Sequence, residues 1–298
     1  MSRRLKADLA LVLVTFIWGA TFVLVKSALQ DASTLLFLTL RFSVAGVALL
    51  LLRAGHSTLC PYPLAGRPSR RSLPASLLVG TFLFLGYFLQ TQGLRWTTAS
   101  KSAFITGFAV VLVPLITGLA SRRFAGWAAM TGVALAVAGL ALLTNPGVGT
   151  SINRGDLWTL ACALAFAIHI VLLGHYSRLV PARALATGQV LTAALLAGVS
   201  FPWAETAFLR LSPRLWLAVL VTGLLATAFA FSTQTWAQQF TSPTHTALIF
   251  SLEPVFAWLT STVWLGERLQ GRAALGALLI LAGIVVVELR SRSAPLQA

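Results

Sequence analysis

The residue most able to do chemistry in this chain is Glu253, a carboxylate inside a long apolar segment and followed directly by Pro254. On membrane-insertion scales such a carboxylate costs about 2.5–3.5 kcal/mol, so it should face a cavity or a partner. A buried carboxylate can bind a proton or the ammonium group of a substrate. A structural ion pair and a helix kink beside Pro254 are the alternatives, and the sequence alone leaves them open.

Four basic side chains offer complementary chemistry. Arg41 lies within an apolar run and can pair with Glu253 or receive a substrate carboxylate, although an arginine that ties helix ends together is the commoner case. Lys101 can attract an anionic substrate or extend to the membrane interface. Histidine side chains commonly change charge near neutral pH, so His245 suits a proton-linked gate as well as a simple hydrogen bond. His169 allows the same two interpretations.

Aromatic residues and prolines add to the candidate site. Four rings lie in apolar runs where they can stack on an apolar or aromatic substrate or, more commonly, contact lipid and other helices: Trp18, Tyr87, Phe104 and Phe166. Pro114 and Pro254 predict helix kinks, which free backbone carbonyls to line a cavity. In the register of the repeat described below the two prolines are offset by one helical turn, so the predicted kinks lie at staggered depths.

Enzymatic motifs are missing from the sequence. It has no His-Glu-x-x-His motif and no P-loop, and its histidines and cysteines lack metal-ligand spacing. We therefore predict no catalytic residue, no metal and no cofactor. An intramembrane enzyme is retained as the alternative from another functional class.

Composition places these residues in a membrane protein. Of 298 residues 57% are apolar and 10% are charged, with a mean hydropathy of +0.85, whereas about a quarter of a soluble chain is charged. Ten apolar runs are long enough to cross a bilayer: 7–29, 33–53, 73–92, 98–120, 124–143, 156–174, 185–203, 213–237, 243–264 and 272–290. Because the runs do not alternate as barrel strands do, the predicted fold is an all-α integral membrane protein.

The excess of 22 basic over 7 acidic residues predicts an orientation in the membrane. With the N-terminus inside, thirteen basic residues fall on the cytoplasmic side, six outside and three within spans. This bias predicts a multi-pass protein of the bacterial inner membrane with both termini in the cytoplasm. It argues against a nucleic-acid partner, which would need the charges on one hydrated face.

An internal repeat relates the two halves of the chain. At an offset of 144 residues, segment 90–143 aligns without a gap with segment 234–287. The alignment pairs Gln90 with Gln234, Lys101 with His245, Gly132 with Gly276 and Gly139 with Gly283. At an offset of 148 residues, Asp8 aligns with Asp156.

The repeat predicts an inverted architecture. The units 1–147 and 148–298 each contain five spans, so the second must enter the membrane from the opposite side. Inverted repeats are typical of secondary transporters, whose substrate site lies near the midplane between the halves. Gln90 and Lys101 would then lie near the outer face and their partners Gln234 and His245 near the inner face, as two alternating gates require.

Several motifs resemble those of EamA-type ten-helix exporters in the drug/metabolite transporter superfamily. They include Trp18-Gly19 through Phe22, Arg41-Phe42, Thr97 through Gly107, and Leu252-Glu253-Pro254 with the turn Leu265-Gly266-Glu267. The resemblance covers the whole chain and implies export of small metabolites or toxic compounds without ATP. The first half departs from it at Ser121-Arg122-Arg123, where the acidic turn residue is missing.

Together these observations predict a secondary transporter that works by alternating access. Its partners are the lipid bilayer, a small organic substrate that is amino-acid-like or aromatic and drug-like, and protons if Glu253 couples transport. A passive facilitator or channel is the alternative within the transport class. The sequence does not specify the oligomeric state.

Overall fold

The computed structural model describes residues 2–54, 69–97, 99–122, 126–144, 153–265 and 271–293. Regular structure in these ranges is helical, apart from one isolated antiparallel bridge between Ala32 and Leu209. The helices are α1 (Arg3–Ala28), α2 (Thr34–Ala54), α3 (Ser72–Leu94), α4 (Ala99–Gly107), α5 (Ala109–Ser121), α6 (Trp127–Thr144), α7 (Arg154–Tyr176), α8 (Ala182–Ala204), α9 (Pro213–Gly223), a π-helical segment (Leu224–Phe229), α10 (Ala230–Ala237), α11 (Pro243–Phe250), α12 (Glu253–Leu265) and α13 (Gly271–Ser293).

These segments form ten membrane-crossing units, which confirms the predicted all-α fold. Seven are long and apolar enough to span a bilayer by themselves, counting α4 with α5 and α9 with the π-helical segment and α10. The others are the shorter apolar helices α6 and α13 and the pair α11 with α12. Ten crossings bring both ends of the chain to one face, here called the terminus face; the other is the opposite face.

Two of the predicted spans are broken, and the breaks are related by the repeat. α4 ends at Gly107 and α5 begins at Ala109, while α11 ends at Phe250 and α12 begins at Glu253. Ala109 and Glu253 are equivalent positions at the offset of 144 residues. The breaks therefore lie at equivalent positions of the repeat.

The proline positions explain only one of these breaks. A proline ring clashes with the carbonyl four residues before it. For Pro254 that residue is Phe250, where α11 ends. For Pro114 it is Val110, which lies inside α5 and beyond the break at Phe108. Pro114 thus sits within a helix, and the first-half break has another origin.

The largest buried cluster lies between the two halves. It joins residues of α1, α2 and α3 to residues of α8, α9 and α10, with Phe37, Phe42 and Phe231 among its fully buried side chains. Leucines such as Leu51 and Leu119 point outward and are well exposed, as expected for side chains that face lipid. The interior side of this cluster borders the candidate site.

Candidate functional site

A cavity of about 820 Å³ of empty space, part of it open to solvent, lies between the halves. Its walls come from α1 to α5 of the first half and from α7, α10, α11 and α12 of the second. Seven of the ten predicted site residues line it: Trp18, Arg41, Tyr87, Gln90, His169, Gln234 and Glu253. Phe166 and Pro254 line it as well.

Phe104 and His245 lie away from the cavity. The Phe104 ring packs edge-on against Phe108, 5.3 Å between centroids, and joins a neighbouring apolar cluster. His245 is buried near the terminus face, where its Nε2 lies 3.3 Å from Asp8 Oδ1. Lys101 belongs to α4, and its side chain lies outside the described residues.

Glu253 occupies the first position of α12, directly after the helix break. Its side chain is partly exposed to the cavity. Within the described part of the chain its carboxylate has neither a hydrogen-bond donor nor an ion-pair partner. α1 approaches its backbone closely, because a Cβ built on Gly19 would lie 2.6 Å from the Glu253 carbonyl oxygen. An ionised carboxylate at this depth needs a cationic partner, so the position is suited to a proton or a substrate ammonium group.

Arg41 provides the positive charge of the cavity. Its side chain is 3% exposed, and its guanidinium carbon lies 4.3 Å from the centroid of the Tyr87 ring. Arg41 Nε donates to Thr227 Oγ1 at 2.8 Å, and Nη2 donates to the Ala226 carbonyl at 3.3 Å. Neither of these two bonds uses Nη1. The guanidinium can therefore still receive an anionic group.

Aromatic rings form much of the cavity wall. Trp18 contacts Phe250 and Phe231, with ring centroids 5.0 Å and 5.4 Å away. Tyr87 contacts Phe166 edge-on at 5.3 Å. The Trp18 indole is fixed by donating from Nε1 to the Ala226 carbonyl at 2.9 Å. These contacts hold the rings in place around the charged groups and make most of the wall apolar.

Two polar residues of the wall, His169 and Gln234, form hydrogen bonds within the protein. His169 Nε2 lies 2.9 Å from Gln189 Oε1, and Gln189 Nε2 donates to Thr235 Oγ1 at 3.0 Å. Gln234 Nε2 donates to Gln238 Oε1 at 3.1 Å. These bonds tie α7, α8 and α10 together, which indicates a supporting role for His169.

Contacts between the halves lie at the terminus face. Asp8 of α1 lies beside His245 of α11, and Arg4 Nε lies 4.0 Å from Asp8 Oδ2. Arg183 donates from Nη2 to the Leu52 carbonyl, joining α8 to α2. These contacts link the start of the first half to two helices of the second.

Contacts between the halves also lie at the opposite face. Thr97 Oγ1 donates to Asp156 Oδ1 at 2.9 Å, and Lys26 Nζ donates to the Thr97 carbonyl at 2.7 Å. Ser212 Oγ donates to Asp31 Oδ2 at 2.6 Å, next to the bridge that joins the two interhelical loops. Asp156 and Asp8 are equivalent positions of the repeat. Asp8 of the first half thus takes part in the contacts at the terminus face, and Asp156 of the second half takes part in those at the opposite face.

Sequence reasoning missed Thr227, Ala226 and Gln189. The π-helical segment carries the first two, and its residues Leu224–Phe229 read as part of a continuous apolar span. Gln189 had one available signal, since it is an amide inside an apolar run of α8. No group of three or more potential metal ligands occurs among the described residues.

Comparison with known proteins identifies the family. The EamA-like transporter family matches residues 5–145 and again residues 153–289. The chain belongs to the EamA-like transporter family. It is thus a multi-pass membrane transporter, as the sequence motifs predicted.

Individual EamA-like relatives match over nearly the whole chain. An uncharacterized transporter of Archaeoglobus fulgidus is 36% identical over 288 residues, covering 97% of this chain and 87% of the relative. A protein of Streptantibioticus cattleyicolor named "Probable terminal-alkyne amino-acid exporter" is 26% identical, covering 96% of this chain and 94% of the relative. A solved crystal structure with 20% identity shares the fold, with a TM-score of 0.78 over 99% of this chain and 100% of that chain.

Proposed function

We propose that this EamA-like transporter exports a small zwitterionic metabolite, an amino acid with an apolar or aromatic side chain, in exchange for protons. The observation that carries the proposal is the cavity between the halves. It holds a carboxylate that has no hydrogen-bond or ion-pair partner among the described residues, a guanidinium whose bonds to Thr227 and Ala226 do not use Nη1, and a wall of aromatic rings. These three features match the ammonium, the carboxylate and the side chain of such a solute.

Each end of the solute has a chemically matched group. The ammonium group binds the Glu253 carboxylate, and the solute carboxylate binds Arg41 through Nη1. The apolar side chain packs against Trp18, Tyr87 and Phe166. The name of the Streptantibioticus cattleyicolor relative supports this substrate class.

Proton coupling follows from the position of Glu253. When the carboxylate binds a proton it loses the charge that holds the ammonium group, so proton and solute compete for one site. In the cell, a proton arriving from outside releases the solute there, and a new solute displaces the proton inside. This exchange requires that the cavity open to one side at a time.

The equivalent closures support such alternating access. Thr97 with Asp156 closes the opposite face, and His245 with Asp8 closes the terminus face. Asp8 and Asp156 are repeat-related, so equivalent carboxylates of the two halves take part in contacts at the two faces, as alternating access between inverted halves requires. We propose further that the protein lies in the bacterial inner membrane with the terminus face toward the cytoplasm, as its charge bias predicts.

The test is uptake of a labelled amino-acid panel by everted inner-membrane vesicles, with and without a proton gradient. We expect an apolar or aromatic amino acid to accumulate only when the gradient is present. Vesicles without the protein are the control. Equilibration without accumulation would contradict coupling and establish a facilitator, and no uptake of any amino acid would contradict the proposed substrate class.

A further inference from the structure

The π-helical segment Leu224–Phe229 forms a cradle for Arg41. α2 crosses the start of this segment closely, because a Cβ built on Gly223 would lie 3.0 Å from the Arg41 carbonyl oxygen. The side chain of Arg41 then bonds to Ala226 and Thr227 within the segment. Backbone and side chain of Arg41 are thus both held by one turn of the opposite half.

The Thr227 hydroxyl is oriented by an unusual backbone bond. Threonines in helices commonly donate to the carbonyl four residues earlier, as Thr222 does to Ala218 at 2.6 Å. Thr227 instead donates to the Thr222 carbonyl, five residues earlier, at 2.8 Å. This spacing is that of the π-helix. Because its proton is committed to Thr222, the Thr227 oxygen is left as an acceptor for Arg41 Nε.

The result is a fixed orientation of the guanidinium. Thr227 and Ala226 hold the Nε and Nη2 positions, and the Tyr87 ring lies against the guanidinium 4.3 Å away. Rotation would break the bond to Thr227, whose side chain is fully buried. The remaining donors of Arg41 are therefore held toward the cavity.

Trp18 is fixed by the same turn. Its Nε1 and Arg41 Nη2 both donate to the Ala226 carbonyl, so one backbone oxygen positions an aromatic wall residue and the cationic group of the cavity. Both donors belong to the first half of the chain and the carbonyl to the second. The π-helical turn thus couples the two halves at the candidate site.

We infer that Thr227 is a positioning residue that makes Arg41 a carboxylate-specific subsite. The inference rests on the proposed function and adds to it the residue that determines recognition of the solute carboxylate. Thr227 itself does not line the cavity and acts through Arg41. Its removal should impair binding of solutes that carry a carboxylate and leave binding of the corresponding amines nearly unchanged.

The experiment compares leucine with isoamylamine, which is leucine without its carboxylate, by calorimetric binding to the full-length protein in detergent. Thr227→Val keeps the shape of the side chain but removes the acceptor for Arg41. We expect the Kd for leucine to rise about tenfold, the loss typical of a hydrogen bond to a charged group, and that for isoamylamine to change less than about twofold. Thr227→Ser should restore leucine binding.

Thr222→Val is the matched control. Thr222 is equally buried and back-bonded, lies on the adjoining turn and does not contact Arg41, while its carbonyl remains available to Thr227. It should leave both affinities near those of the wild type. If Thr227→Val fails to insert or fold, Thr227→Ala takes its place.

The outcomes separate this inference from the proposed function. If wild type binds neither solute, the proposed function fails and the inference with it. If wild type binds leucine, but Thr227→Val weakens both solutes equally or matches Thr222→Val, only the inference is overturned. A selective loss of leucine binding that Thr227→Ser rescues supports it.

Discussion

Gly139 of α6 packs directly against Gly276 of α13: a Cβ built on Gly139 would lie 2.5 Å from the Gly276 carbonyl oxygen. The repeat-related contact is formed by the other two glycines, because a Cβ built on Gly283 would lie 2.7 Å from the Gly132 carbonyl oxygen. The alignment pairs Gly132 with Gly276 and Gly139 with Gly283. The contacts thus cross over, as an approximate twofold axis between inverted halves requires.

This close approach predicts a stability effect. Gly139→Ala should lower the free energy of unfolding by about 1–3 kcal/mol, since the new methyl group meets a backbone carbonyl that cannot rotate away. The measurement is thermal unfolding of the purified protein in detergent. Gly126→Ala is the control, because a Cβ there meets nothing within 4 Å. Equal melting temperatures for the two variants would contradict the contact.

The closure of the opposite face gives a second prediction. Thr97→Val removes the hydroxyl that donates to Asp156 and leaves the carbonyl that accepts from Lys26. Loss of one such bond should favour opening of this face by about twofold to tenfold. The readout is labelling of a cavity cysteine, Ala103→Cys with Cys60 and Cys162 changed to serine, by an impermeant maleimide added from that face.

The control for this labelling is Thr81→Val. Thr81 is partly exposed and donates to the Leu77 carbonyl within its own helix. It should label at the rate of the parent protein. If Thr97→Val labels no faster than Thr81→Val, the Thr97 hydroxyl does not contribute to closure.

Cavity size gives a third prediction, at Phe166. Its ring lies against Tyr87 and in the space left by Gly86, where a built Cβ would be 2.5 Å from the ring. Phe166→Ala should widen the cavity and raise the uptake of bulky amino acids relative to alanine, because small solutes lose their contacts with the wall. Competition assays with a graded series of side chains measure this ratio.

Phe88→Ala is the matched control for Phe166→Ala. Phe88 stacks on Phe84, 5.9 Å between centroids, and packs beside the main buried cluster without lining the cavity. It should reduce stability without changing the order of preference. A change of preference in Phe88→Ala, or none in Phe166→Ala, would argue against the assignment of the wall.

Much of the fold could be predicted from the sequence because its physical signal is strong. Apolar runs fix the number of spans, since lipid excludes charged residues and unpaired backbone. The repeat register also identified the glycine pairs before their contacts were known. Among candidate site residues, Glu253 and Arg41 stood out because a charged residue within an apolar run is expected to face a cavity or a partner.

The remaining features depend on contacts between distant segments. The π-helical turn at Leu224–Phe229 has the composition of an ordinary helix. Its sequence therefore does not reveal that Ala226 and Thr227 accept hydrogen bonds from Arg41. His245 and Phe104 have the same residue types as cavity residues but face other neighbours, Asp8 and Phe108. Pro114 lies inside α5, beyond the break at Phe108, so the position of the proline alone does not locate the first-half break.

Glu253→Gln tests the central claim most directly. The glutamine keeps the size of the side chain but can neither exchange a proton nor offer a full negative charge to an ammonium group. In everted vesicles energised with a proton gradient, we expect accumulation of the best amino acid of the panel to fall to the level of vesicles without the protein. Glu205→Gln is the control, because Glu205 accepts from the Leu35 and Leu36 amides outside the cavity and an amide oxygen can still accept. Retained gradient-driven accumulation in Glu253→Gln would contradict the account.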